Sequence, residues 1–127
     1  MYVYLNVNPD KKKTSDCVLR AISLATGRDW DTTFLYLAIE ALLHHDMMDV
    51  NYVWGGYLLS NGFIRGRLPD TCPNCYTVND FCIDYPIGTY VLGTGTHAVC
   101  VIDGNYYDVF DSGDEVPVYF YEKIEDM

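Results

Sequence analysis

Cys17, His97 and an acidic residue near position 110 are the parts of this chain whose types and spacing suit nucleophilic chemistry. Cys17 follows Asp16 in "TSDCVLRAIS", so it falls in the first turn of an expected helix. The positive end of the helix dipole and the free N–H groups there stabilise a thiolate and lower its pKa. His97 opens "HAVCVID", an apolar run in which valine or threonine would pack better. A buried imidazole needs polar partners for its ring nitrogens, and few lie close in sequence. An imidazole aimed at Cys17 can take the thiol proton, and a carboxylate on the next strand can then hold the ring in one tautomer. With a turn at about 103–105, His97 falls opposite Asp111, and Asp108 falls nearer Cys100. The expected set is therefore Cys17, His97 and Asp111.

The elements that must position these residues can be read along the chain. "YVYLNV" (2–7) alternates and is β-rich, and Asn8-Pro9 stops it. Asp16 is an expected N-cap for a helix over "CVLRAISLAT", with Gly27 as its C′ residue. A second helix starts near Asp31 and runs through "TTFLYLAIEALLHH", with Phe34, Leu35, Ala38 and Leu42 as its apolar face. A third covers 51–60, although Gly55-Gly56 weakens it. "TVNDFCIDY" reads as a fourth, capped by Thr77 and stopped before Pro86. Strands follow at 89–94, 97–103, 105–111 and 116–123, with Asp103-Gly104 or Gly104-Asn105 as a tight-turn signal. The layout predicts a single α+β domain over 1–127, with N-terminal helices on a C-terminal antiparallel meander.

On these residues the chain resembles papain-like cysteine peptidases, in particular small bacterial and phage-type members such as the double-glycine bacteriocin-processing peptidases. "DCVLRAISLATG" is similar to their cysteine-helix segment, and "GTYVLGTGTHAVCVIDGNYYDVFDSG" to their strand–His–strand–Asp segment. The resemblance covers about a third of the chain and implies a papain-like fold. It also implies a thiolate–imidazolium pair that cleaves a peptide or isopeptide bond through an acyl-enzyme. Many such enzymes carry a glutamine before the cysteine as an oxyanion donor, and this chain has none. The Cys17 N–H can supply one donor, and Asn8 is the side-chain candidate for the second. A domain this small has little room for a deep cleft, so a glycine-containing or extended peptide is the expected substrate. The alternative is a catalytically silent papain-like scaffold that binds protein.

Composition narrows the remaining classes. Eighteen acidic residues against eight basic ones give a net charge of −10, which disfavours nucleic acid as a partner. Lys11-Lys12-Lys13 reads as a solvated loop. No apolar run reaches the roughly 18 residues of a membrane span, and the lysines follow the first apolar stretch, the wrong order for a secretory signal. The reading is a cytoplasmic protein with no membrane partner and no cofactor. Cysteines 17, 72, 75, 82 and 100 are then expected as free thiols.

Cys72-Pro-Asn-Cys75, with Cys82, could supply three ligands of a zinc-stabilised interaction module. No second C-x-x-C or spaced histidine pair completes such a site, so no metal is expected. Arg20 is expected in an ion pair with an acidic neighbour. Trp30 and Trp54 are expected to serve packing.

Overall fold

The computed structural model describes residues 1–124. It places four helices on a mixed six-stranded sheet. In chain order the elements are β1 (Tyr2–Tyr4), α1 (Cys17–Thr26), α2 (Trp30–His44), α3 (Asn51–Ser60) and β2 (Phe63–Arg67). Then come α4 (Val78–Asp84), β3 (Thr89–Gly93), β4 (Ala98–Ile102), β5 (Asn105–Asp108) and β6 (Tyr119–Lys123). Strand order across the sheet is β1-β5-β4-β3-β6-β2.

The sheet is not the simple meander expected. Strands β3, β4 and β5 do follow one another antiparallel, and β4 joins β5 by a two-residue turn with Asp103 and Gly104 both at positive φ. The far edge of β5, however, is taken by β1 in parallel, with Tyr4 opposite Asp108. The chain must therefore cross back, and β6 pairs with β3 instead. Strand β2, over "FIRGR", was not expected at all; it completes the edge beside β6. Its Gly66 accommodates a ring, since a Cβ there would lie 2.3 Å from Phe120.

Both faces of the sheet are covered, which explains why β4 reads "AVCVI" without alternation. On one face Val91, Ala98, Cys100, Tyr119 and Tyr121 pack against α1, α2 and α3. On the other, Tyr90, Leu92, Val99, Val101 and Tyr106 pack against Val78, Phe81 and Cys82 of α4. The two sets alternate along each strand, as the period of two requires. Gly55 permits the close approach of α3, because a Cβ would meet the Tyr121 hydroxyl.

Helix α2 buries a different face from the expected one. Thr33, Leu37 and Ala41, spaced four apart, point inward, whereas Phe34, Leu35 and Leu42 are exposed. All sides of this helix are rich in apolar residues, so periodicity alone could not choose the buried stripe.

Helix α4 is held by a capping box: the Thr77 hydroxyl accepts from Asp80 N–H, and the Asp80 carboxylate accepts from Thr77 N–H. Its first turn also donates from Val78 to Glu115 and from Asn79 to Gly113, which fixes the loop after β5. Thr77→Ala should cost about 1 kcal/mol, read as a lower denaturation midpoint in urea at unchanged slope.

Cys72 and Cys75 form a disulfide, which corrects the expectation of free thiols. The loop folds on itself through Thr71 Oγ1 donating to Asn74 O and Cys72 N–H donating to Asp70, which brings the two Cα atoms to 4.1 Å. Two of the three sulfurs considered for zinc are thereby joined to each other. Among the described residues no group of three His, Cys, Asp or Glu is arranged to hold a metal ion, and no helix is long and apolar enough to cross a membrane.

Candidate active site

Cys17 is the first residue of α1, half-buried, with Asp16 at the N-cap position. The Asp16 carboxylate does not cap the helix. It turns instead to Arg20 Nε at 2.8 Å, Trp30 Nε1 at 3.1 Å and Asn8 Nδ2 at 3.3 Å. The first N–H groups of α1, including that of Cys17, therefore lack both a helical acceptor and a side-chain cap. They are available to an incoming oxyanion.

His97 sits one residue before β4. The Thr94–His97 turn fixes it, with Thr94 N–H donating to His97 O and His97 N–H donating to Thr94 Oγ1. The start of β4 packs on α1, which brings the imidazole to the cysteine helix. An imidazole nitrogen of His97 and the Ala98 N–H lie near enough to the Cys17 sulfur to lower its pKa, and all three residues border one cavity. The other ring nitrogen, Nε2, donates to Asp108 Oδ2 at 2.7 Å. Because Asp108 is ionised and can only accept, the proton must be on Nε2, leaving Nδ1 for Cys17.

The carboxylate that orients His97 is thus Asp108, not the expected Asp111. The observed register sets Cys100 opposite Tyr107, one residue away from that assumed, and β5 ends at Asp108. Beyond it the chain leaves the ladder, so a register extended to position 111 has no strand to act on. Asp111 is exposed; it accepts from the Tyr106 hydroxyl and from Gly113 N–H. Asp108 is 1 % exposed and held on several sides, by Arg20 Nη1 at 2.9 Å and the Ser112 hydroxyl at 2.7 Å besides His97. The α4-anchored loop supplies Ser112, which sequence reading missed.

Asn8 is not an oxyanion donor here. It is buried, and its side chain ties the 8–16 loop together by donating to Asp16 and accepting from Asp10 and Lys12 N–H groups. Arg20 does form the expected ion pair, but with two carboxylates at once, Asp16 and Asp108. The i, i+4 spacing of Asp16 and Arg20 was a legible signal for the first; the second required the fold.

The electrostatics follow from this cluster. Two buried carboxylates face one guanidinium, leaving one negative charge that an imidazolium balances. Burial alone would lower the His97 pKa, but the hydrogen bonds to Asp108 and Cys17 outweigh it and raise it to about 9. Burial would raise the Cys17 thiol, yet His97, the Ala98 N–H and the Arg20 charge together bring it below its ordinary value of 9.0. At Cys82 and Cys100 burial outweighs the charges of the N-terminus and Lys123 respectively, and both thiols are pushed upward. Of the three free thiols, Cys17 alone is shifted downward.

Cys17 and His97 open onto a cavity of about 360 Å³ between α1, α3 and the 95–98 turn, with Ser15, Asn51 and Trp54 on its walls. That volume lies within the roughly 300–1,000 Å³ usual for ligand sites. No known family model, curated protein or solved structure matches this chain.

Proposed function

We propose that the protein is a papain-like cysteine peptidase or amidase that works through Cys17, His97 and Asp108. The observation that carries this reading is the line Cys17–His97–Asp108, in which His97 lies beside the sulfur and is hydrogen-bonded to a buried carboxylate, with its other end open to a cavity. At rest the proton of Cys17 lies on His97. The thiolate attacks an amide carbonyl carbon, and the free N–H groups of α1 stabilise the oxyanion. His97 gives its proton to the nitrogen as the C–N bond breaks, leaving a thioester on Cys17. Water, deprotonated by His97, then attacks the thioester, releases the acid and restores the thiolate beside the protonated His97. Asp108 keeps Nε2–H in place and stabilises the imidazolium through each step.

The pH dependence tests this reading by separating two quantities. Alkylation needs only the thiolate, so the rate at Cys17 should rise through a value below 9.0 and then stay level. Amide hydrolysis also needs the His97 proton for the leaving amine, so it should fall as pH rises through about 9. The expected results are a sigmoid for iodoacetamide labelling of Cys17 and a bell for peptide turnover. Labelling of Cys17 that begins only near pH 9, together with Cys82, would refute an activated nucleophile.

A further inference from the structure

The geometry points to a binding site for a phosphate monoester in a basic pocket beside the cysteine helix. This goes beyond the hydrolase reading and stands without it. The pocket has a volume of about 450 Å³ and lies between the 12–16 loop, the Arg20 turn of α1 and Val109 just past β5. Lys12, Lys13 and Arg20 line it against a single carboxylate, Asp16. Three of the eight basic residues of a chain with net charge −10 thus meet at one concavity.

These charges are not consumed by the fold. Lys11, the first of the three adjacent lysines, serves the loop itself by donating to Asn6 O at 3.0 Å. Lys12 and Lys13 are exposed, and among the described residues their ammonium groups make no hydrogen bond or ion pair. Arg20 is only 8 % exposed, and its guanidinium gives Nε to Asp16 and Nη1 to Asp108. Among the described residues Nη2 has no partner and is not fully enclosed, so its donors open to the pocket that Arg20 lines. A rigid guanidinium with donors left over, beside two mobile ammonium groups, suits the oxygens of a phosphate. Both oxygens of Asp16 are already engaged, Oδ1 by Arg20 and Oδ2 by Trp30 and Asn8. Three cations against one carboxylate match the charge of a phosphate monoester, roughly −1.5 to −2 at neutral pH. The acidic chain as a whole repels polyanions, which disfavours a nucleic-acid backbone. Within the screening length of about 8 Å at physiological ionic strength, however, the local cations decide, and a single phosphate is held. The pocket takes much more than one phosphate group, so the group that bears it is seated as well. Ser15 lines both this pocket and the catalytic cavity, which puts the two sites on one continuous surface.

The test is an NMR titration of the whole chain at about pH 7.5, where the monoester is a dianion, with sodium chloride holding ionic strength constant. The probes are N-acetylphosphoserine amide, inorganic phosphate, N-acetylserine amide and a short oligothymidylate. Phosphoserine amide should shift the backbone amides of Lys13, Thr14 and Ser15 and the Arg20 side chain saturably, in the millimolar range. Inorganic phosphate should do the same at least about threefold more weakly, and N-acetylserine amide should leave them unmoved. Lys12→Ser with Lys13→Ser, at exposed positions outside the catalytic residues, should weaken both phosphate probes at least about tenfold. Shifts no larger than those chloride produces, or affinities untouched by the double substitution, would overturn the site. Equal affinity for phosphoserine amide and inorganic phosphate would overturn the monoester, and tighter binding of oligothymidylate than of either would return the patch to nucleic acid.

Discussion

Asp108→Ala is expected to destabilise the protein by about 3–5 kcal/mol, whereas Asp111→Asn should change stability by no more than about 1 kcal/mol. Asp108 is almost fully buried and neutralises part of Arg20 and His97; removing it leaves two cationic groups facing each other without their shared anion. Asp111 is exposed, and an asparagine in its place still accepts from the Tyr106 hydroxyl and Gly113 N–H. Burial opposes ionisation of Asp108, but His97, Ser112 and Arg20 outweigh it and hold the carboxyl below its ordinary 3.8. A depressed carboxylate stabilises the fold above the unfolded value and loses that contribution as pH falls through the folded one. The difference between wild type and Asp108→Ala should therefore be full at pH 6 and shrink below about pH 4. Urea denaturation at both pH values measures it. A larger loss from Asp111→Asn than from Asp108→Ala would return the orienting role to Asp111.

His97→Ala should slow alkylation of Cys17 at pH 7 by at least about tenfold, equivalent to about 1.4 kcal/mol of thiolate stabilisation. The sulfur would keep the Ala98 N–H, the Arg20 charge and the end of α1, but would lose both the hydrogen bond and the charge of the imidazolium. Asp108→Asn should slow it less, because the ring remains and only its orienting anion is gone. Cys82 and Cys100, which owe nothing to His97, should label at unchanged low rates in every variant. On the proposed mechanism the same residue delivers the proton to the leaving amine, so peptide turnover should fall further than labelling in His97→Ala. Equal labelling of Cys17 in wild type and His97→Ala would make His97 a packing residue of the β4 entrance.

Local chemistry placed much of this arrangement within the reach of sequence alone. Asp16 before an apolar helix located Cys17 at a helix start. Asp103-Gly104 located the hairpin that carries His97 and its partner strand, and Thr77 located α4. Each signal acts over a few residues, through a cap, a turn or a period, and each survived folding. The carboxylate opposite His97 was a different matter. Its identity depends on where β5 stops, and that is decided by β1 pairing in parallel as far as Asp108 and by α4 holding the loop around Gly113. Both contacts come from segments remote in sequence, so no register counted from the turn identifies the partner. The same holds for Asn8, which became a loop tie once Asp16 turned inward. It holds for the buried stripe of α2, which tertiary packing chose from a helix apolar on nearly every side. The chain alone determined which residues could do chemistry and on which elements they stand. The fold alone decided which of them meet, because meeting depends on contacts between segments that no local pattern encodes.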